Sequence, residues 1–293
     1  MRSEKEMFDL ILGFAKKDER IRAVYMNGSR TNPNVQKDIF QDYDIVYVVT
    51  GTASFLADEE WINVFGDLLM IQEPDKLDQG VGIPKNFDRS YTYLMLFTDG
   101  NRIDLHLETK ESMLAGYETD KLTLPLLDKD DILPIIPPPT DIDYHVKKPS
   151  EGDFNSCTNN FWWCLQNVAK GIWRDELPYV KWMYEYTTRD SLDKMVSWWI
   201  GVETDFQVSA GKLGKYFKVY LPEDYWNMYK ATYSSAYYEQ MWDSIFITCE
   251  LFRMLSQEVA KHFGFTYPTQ DDQNMMKYLR QVRELSKGAR EIF

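Results

Sequence analysis

The chain has 293 residues and a mass of 34.6 kDa, with 44% hydrophobic residues, 15% aromatic residues and a formal net charge of −13. This length and apolar content exclude a disordered protein and favour two domains over a single hydrophobic core. The acidity disfavours nucleic acid as a partner, and no apolar run approaches the roughly 20 residues that cross a bilayer.

The cysteines indicate a reducing compartment. Cys157, Cys164 and Cys249 form an odd and sparse set without metal-ligand spacing. We therefore expect three buried free thiols in a cytoplasmic protein that is neither secreted nor bound to a membrane.

The first half of the chain predicts helices packed against a mixed sheet. Ser3 and Glu6 form a possible capping box for a helix that ends near Lys17. The Asp99-Gly100 pair predicts a hairpin between two strands. In chain order we expect strands at 21–26, 43–50, 68–71, 91–97 and 102–107, a helix at 59–65, and irregular chain through Pro74 and Pro84.

Prolines mark a boundary between two parts of different composition. Five prolines lie between residues 127 and 149, a density that favours an extended connector. Amphipathic stretches rich in Trp and Tyr follow and predict helices at 153–172, 175–187, 190–203, 235–262 and 270–287. We expect an α+β protein with an N-terminal domain at 1–135, a connector at 136–150 and a helical bundle at 151–293. The bundle should bury most of its tryptophans: Trp162, Trp163, Trp198, Trp199 and Trp242.

A pair of carboxylates follows a Gly-Ser turn at a fixed spacing. Gly28-Ser29 ends the first strand, and after twelve further residues Asp42-Tyr43-Asp44 begins the next one. Side chains two residues apart on a strand face the same way, so Asp42 and Asp44 should project together. Two such carboxylates repel each other unless a cation lies between them, and hard oxygen ligands suit Mg²⁺.

The turn itself has the composition of a phosphate-binding segment. Gly28 allows the backbone to approach an anion closely, and Ser29 offers a hydroxyl and a backbone N–H. Arg30 would add positive charge, although a structural ion pair explains this residue equally well.

A third carboxylate lies on a later strand. In the run 102–107, apolar residues take one face while Asp104 and His106 take the other. Asp104 can complete a metal site, accept the proton of an attacking hydroxyl, or do both, because metal and base must converge on one reacting oxygen.

These residues resemble the nucleotidyltransferase superfamily that includes DNA polymerase beta. The runs 40–45, 90–99, 126–130 and 139–145, together with Lys170-Gly171, are similar to the aminoglycoside (streptomycin) 6-adenylyltransferase family, and the similarity extends to about Tyr267. The resemblance implies an N-terminal nucleotidyltransferase domain, a helical C-terminal domain, and MgATP as the nucleotide substrate.

The resemblance also implies residue roles. Gly28 and Ser29 would hold the triphosphate, Asp42 and Asp44 the metal, and Asp104 would be a metal ligand or the base. Lys170, Lys212 and Lys215 would neutralise phosphate. Leu213 and His106 depart from the family, whose members tend to carry a polar residue near 213 and Thr at 106.

The implied acceptor is a small cationic aminoglycoside, with streptomycin first among candidates. The acidic net charge agrees with such an acceptor, and carboxylates of the helical half such as Asp175, Glu176 and Glu185 are candidates to bind its guanidinium groups. The implied activity is one of antibiotic resistance, in a monomer or a homodimer. Two alternatives stay open here: the same chemistry on a lincosamide or a protein hydroxyl, and a catalytically silent nucleotide-binding module on the same fold.

Overall fold

The computed structural model describes every residue from Met1 to Phe293 and divides the chain into two units, Met1–Asp143 and Tyr144–Phe293. The first unit is built on a sheet and the second contains helices only. The predicted α+β fold class, a mixed sheet with helices followed by a helical part, is confirmed.

One six-stranded sheet organises the first unit. Its strands are β1 (Ile21–Asn27), β2 (Tyr43–Val49), β3 (Leu68–Gln72), β4 (Ser90–Phe97), β5 (Arg102–Thr109) and β6 (Leu124–Asp128). Their spatial order is β3-β4-β5-β2-β1-β6. β2 and β5 are parallel, whereas every other neighbouring pair is antiparallel. The chain thus brings β2 and β5 side by side although two strands separate them in sequence.

Four helices accompany the sheet: α1 (Glu4–Lys17), α2 (Ala53–Leu56), α3 (Pro74–Gly80) and α4 (Lys110–Gly116). The predicted capping box of α1 is present, since Ser3 and Glu6 exchange hydrogen bonds. Met7, Ile11 and Ala15 recur at helical spacing and are fully buried in the core of this unit. The apolar stripe of α1 therefore holds the helix against the sheet.

Two proline-containing segments form regular structure that was not predicted from the sequence. The irregular chain expected through Pro74 and Pro84 contains helix α3, because a proline in the first turn of a helix loses no hydrogen bond. β6, which was not predicted, contains Pro125 and lies before the expected connector at 136–150. A strand at the edge of a sheet tolerates proline, and β6 is such an edge strand.

The 59–65 helix is shorter and tighter than predicted. Residues Trp61–Phe65 form a 3₁₀ helix that buries Trp61, Ile62 and Phe65. Another 3₁₀ turn, Ser29–Thr31, follows β1.

The second unit contains seven helices: α5 (Glu151–Arg174), α6 (Leu177–Trp182), α7 (Arg189–Glu203), α8 (Phe217–Tyr220), α9 (Glu223–Ala231), α10 (Tyr238–Phe263) and α11 (Thr269–Glu284). A π-helical segment, Met183–Thr188, joins α6 to α7. The stretch predicted to be helical at 175–187 is helical from Leu177 onward, but its change to π-helical hydrogen bonding was not predicted, and neither were α8 and α9. The long helices α5 and α10 contact each other through side chains, with the rings of Phe161 and Phe252 stacked at 3.6 Å.

Most tryptophans of this unit belong to its core, as predicted. Trp162, Trp199 and Trp242 are buried and Trp198 packs against the same cluster, but Trp163 is 65% exposed. All three cysteines are buried free thiols, as expected. The structure contains no helix that combines the length and apolarity needed to cross a bilayer.

Candidate active site

Three carboxylates meet on two neighbouring strands. The parallel register of β2 and β5 places Asp44 directly opposite Asp104. Asp42 precedes Asp44 by two residues, and carboxylate oxygens of all three residues lie within 4.8 Å of one another. We call Asp42, Asp44 and Asp104 the carboxylate cluster. The structure brings the three predicted acids together on one side of the sheet.

The carboxylate cluster concentrates negative charge in a partly buried place. Burial raises the pKa of Asp44 to about 7, and repulsion from Asp42 and Asp104 adds to this effect. Three convergent oxygens are hard donors of the type that Mg²⁺ prefers, and a divalent cation would relieve their repulsion. The residues of the cluster therefore fit a divalent metal ion.

Gly28 lies in direct contact with the carboxylate cluster. Its backbone has φ 77°, which favours glycine, and a Cβ atom at this position would lie 1.9 Å from Oδ2 of Asp44. Any other residue would displace the carboxylate or distort the turn. The glycine thus allows the Gly28-Ser29 turn and Asp44 to approach each other.

Gln41 is a residue of this region that the sequence did not single out. Its Nε2 atom lies 3.4 Å from the carbonyl oxygen of Ser29, and its Oε1 atom is buried without a hydrogen-bond partner. A buried acceptor of this kind needs a donor that the protein does not provide. Its position next to Asp42 and the Ser29 turn adds Gln41 to the candidate site.

Arg30 stabilises the backbone of the site through hydrogen bonds. Its Nε and Nη2 atoms donate to the carbonyl oxygens of Asp42 and Gln41 at 2.9 and 2.8 Å, and its guanidinium lies 3.8 Å from the centroid of the Tyr43 ring. The side chain is only 8% exposed. These contacts support the structural explanation of Arg30, and a role in phosphate binding stays a prediction.

Arg102 makes the strongest polar contact with the carboxylate cluster, and the sequence interpretation did not include it. Its Nε and Nη2 atoms donate to the two carboxylate oxygens of Asp104 at 2.7 and 2.6 Å. Its Nε atom also lies 3.8 Å from Oδ2 of Asp42. The signal was present, since an arginine two residues before an aspartate on a strand shares its face.

His106 also shares the face of Asp104, but it is engaged in the sheet. Its Nδ1 atom lies 2.9 Å from the hydroxyl of Thr92 on the neighbouring strand β4. Burial lowers the pKa of this imidazole, so the neutral form is favoured. The hydrogen bond and burial give His106 a structural role in β5.

The three predicted lysines belong to the second unit and do not lie together. Lys212 lines a cavity of about 570 Å³ with Asp193 and Trp198. Lys170 lines a different cavity of about 200 Å³ and donates to Asn167. Lys215 is exposed, with its ammonium 5.1 Å from the ring of Tyr216. A common phosphate site for all three lysines stays a prediction.

The carboxylates that were proposed to bind the acceptor differ in their surroundings. Glu185 is engaged by Lys181 at 2.9 Å and Arg189 at 3.1 Å, and Asp175 occupies the left-handed position that ends α5. Sequence reasoning missed Asp193, which lines the cavity of Lys212 and accepts a hydrogen bond from Tyr229 at 2.8 Å. Burial raises the pKa of Asp193 to about 6.

A mixed sheet in which a Gly-Ser turn contacts one of three clustered carboxylates, at two adjacent strands, is the arrangement of a nucleotidyltransferase catalytic domain. Comparison with known proteins narrows this class. The profile of the streptomycin adenylyltransferase family matches residues 1–282. Aminoglycoside 6-adenylyltransferases from Campylobacter jejuni and Bacillus subtilis are 41% and 37% identical to the chain. The first alignment covers 97% of each chain, and the second covers 96% of this chain and 98% of its relative.

A third relative, the aminoglycoside 6-adenylyltransferase of Staphylococcus aureus, is 34% identical over 97% of this chain and 100% of its own length. A crystal structure of an aminoglycoside 6-adenylyltransferase from Bacillus subtilis aligns with 97% of this chain and 100% of that chain, at 33% identity and a TM-score of 0.48. The chain therefore belongs to the aminoglycoside 6-adenylyltransferase family and is an enzyme of the nucleotidyltransferase class.

Proposed function

We propose that this enzyme transfers AMP from MgATP to a hydroxyl of streptomycin, at position 6 of the streptidine ring, with release of pyrophosphate. The observation that carries the proposal is the carboxylate cluster in contact with the Gly28-Ser29 turn. Membership of the family supports the reaction class, and the names of the relatives support an aminoglycoside acceptor.

The residues of the cluster would hold the metal ion. Asp42 and Asp44 would bind Mg²⁺, with Asp104 as a third ligand, and the ion would neutralise charge on the phosphate oxygens of ATP. Gly28 and Ser29 would hold the triphosphate through backbone N–H groups and the serine hydroxyl. From the second unit, Lys170, Lys212 and Lys215 are proposed to contribute positive charge to nucleotide binding, with Lys215 the weakest candidate.

The transfer needs a base for the acceptor hydroxyl. Its oxygen forms a bond to the α-phosphorus of ATP, the bond from that phosphorus to the bridging oxygen breaks, and pyrophosphate leaves with the electron pair. We assign the removal of the hydroxyl proton to the carboxylate of Asp104. Both oxygens of Asp104 accept hydrogen bonds from Arg102, and the second lone pair of each oxygen can still accept the proton.

Streptomycin suits an acidic enzyme because it carries two guanidinium groups. Carboxylates bind guanidinium groups through paired hydrogen bonds, and indole faces stack on them. Asp193 and Trp198 line one cavity and are better candidates for such contacts than Glu185, whose carboxylate already pairs with Lys181 and Arg189.

Incubation with MgATP and each of streptomycin, kanamycin, spectinomycin and lincomycin tests the proposal. We expect mass analysis to detect one added AMP on streptomycin, and fragmentation to locate it on the streptidine ring. The Asp104→Asn variant should lose several orders of magnitude in turnover while its ATP affinity changes less. A product with lincomycin alone, or with none of the four compounds, would contradict the aminoglycoside assignment.

A further inference from the structure

Arg102 binds the carboxylate of Asp104, which the proposed metal ion would also use. Its guanidinium makes paired hydrogen bonds to Asp104, at 2.7 and 2.6 Å, so that both oxygens of this carboxylate have a donor. The same side chain lies 3.8 Å from Asp42. Paired, charge-assisted hydrogen bonds of this geometry are among the strongest polar contacts in proteins.

The surroundings explain why a cation is held there. Asp42, Asp44 and Asp104 lie within 4.8 Å of one another, and Asp104 is only 19% exposed. Arg102 is the one basic side chain that forms an ion pair with a member of the carboxylate cluster. It is itself 46% exposed, so the guanidinium has room to leave Asp104 without opening the core.

We propose that Arg102 is a built-in counter-ion of the carboxylate cluster and competes with the divalent metal ion for Asp104. A metal ion at an oxygen of Asp104 would share a carboxylate whose charge the guanidinium already partly neutralises, and the two cations would repel each other. Free metal ions therefore bind the nucleotide-free enzyme more weakly than the three carboxylates alone would allow. The phosphates of ATP supply further ligands, and this favours binding of metal and nucleotide together. The inference rests on the proposed metal-dependent function.

Binding of Mn²⁺ to the nucleotide-free protein tests this competition without any turnover. The free Mn²⁺ signal in electron paramagnetic resonance gives the dissociation constant for the wild type, Arg102→Gln and Arg102→Lys. Loss of two charge-assisted hydrogen bonds predicts that Arg102→Gln binds Mn²⁺ roughly tenfold or more tightly. Arg102→Lys retains the charge but not the paired geometry, and should lie between the two.

A matched control separates this contact from a general effect of charge. Lys37→Gln removes one positive charge from the same unit, where Lys37 pairs with Glu4 and contacts no residue of the cluster. It should leave the Mn²⁺ affinity within about twofold of the wild type. The melting temperature of Arg102→Gln in chelator should fall below that of the wild type, and Mn²⁺ should restore it.

The outcomes distinguish two failures. If the wild type binds Mn²⁺ and neither Arg102 variant binds it more tightly, the competition is refuted while the metal site stands. If neither the wild type nor the Arg102 variants bind Mn²⁺, and the Mn²⁺ signal with Asp44→Asn equals that with the wild type, both the metal site and the inference are refuted. Equal tightening by Lys37→Gln would also refute a specific role of Arg102.

Discussion

Gly28 and Asp44 restrict each other at the centre of the site. The carboxylate of Asp44 occupies the space that a Cβ atom at residue 28 would need, and the positive φ of Gly28 adds a second reason for glycine. The contact joins the end of β1 to the beginning of β2. A change at either residue therefore affects both the turn and the carboxylate cluster.

Replacement of Gly28 by alanine should damage both activity and stability. The added methyl group must displace Asp44 or the turn, so we expect a loss of at least about 100-fold in turnover and about 1–3 kcal/mol in the free energy of unfolding. Gly82→Ala is the matched control, because Gly82 also has positive φ but has open space around its Cβ position. Steady-state kinetics and urea unfolding measure both effects. Equal losses in the two variants would show that backbone strain, not contact with Asp44, makes Gly28 necessary.

Replacement of Asp44 by asparagine should abolish transfer but stabilise the metal-free protein. The folded pKa of about 7 lies above the unfolded value of about 4, so the wild type loses stability as pH rises from 4 through 7. The neutral amide avoids this loss. At pH 8 we expect Asp44→Asn to be more stable than the wild type by about 2–4 kcal/mol.

Urea unfolding in chelator at several pH values measures this difference, with the exposed Asp67→Asn as control. The gain should shrink towards pH 4, where the folded carboxyl is protonated and the unfolded carboxyl is about half protonated. A constant difference between pH 4 and pH 8 would contradict the charge explanation, and near-normal transfer by Asp44→Asn would contradict its place in the metal site.

At the scale of elements, the turn before α8 stores backbone strain. Leu213 has φ 56° and ψ 32° inside the 3₁₀ turn Lys212–Gly214, and its apolar side chain is 93% exposed. Left-handed backbone is unfavourable for leucine, whereas asparagine adopts it more readily. The departure noted in the sequence at this position is thus a strained residue at the rim of the cavity of Lys212.

Leu213→Asn should therefore raise the free energy of unfolding by about 1 kcal/mol. Val219→Asn is the control, since Val219 is also apolar and exposed but lies in helix α8 without positive φ. Thermal or urea unfolding measures both variants. A gain in Val219→Asn as large as in Leu213→Asn would mean that removal of exposed apolar surface, and not relief of strain, explains the effect.

Secondary-structure elements were predictable from the sequence where they depend only on residues close together in the chain. The capping box of α1 and the Asp99-Gly100 hairpin between β4 and β5 were found from the sequence because each depends on neighbouring residues. The π-helical segment Met183–Thr188 was not found, since it differs from an α-helix only in hydrogen-bond register. Its residues include the buried Tyr184 and the paired Glu185, so packing and ion pairs support this segment.

At the scale of the whole molecule, the net charge of −13 creates a long-range field that favours cationic ligands. If the acceptor is streptomycin, its KM should rise several-fold as salt increases from about 20 to about 200 mM, because the Debye length falls below about 10 Å. ATP is an anion that the negative net charge does not attract, so screening by salt should not raise the KM for ATP. Steady-state kinetics with each substrate varied in turn measures both values. A streptomycin KM that is independent of salt would contradict electrostatic attraction of the acceptor.

The sequence by itself determined the α+β class, the candidate residues Gly28, Asp42, Asp44 and Asp104, and the resemblance to the family, which the comparisons confirm. These features depend on short spacings, since alternation along a strand decides which side chains share a face. Only the tertiary structure decided that β2 and β5 are parallel neighbours, because strand order follows from long-range pairing. That pairing sets Asp104 opposite Asp44, gives Arg102 its place beside Asp42, and raises the pKa of Asp44 by burial and repulsion. The separation of Lys170 and Lys212 into different cavities likewise follows from helix packing, which no local spacing encodes.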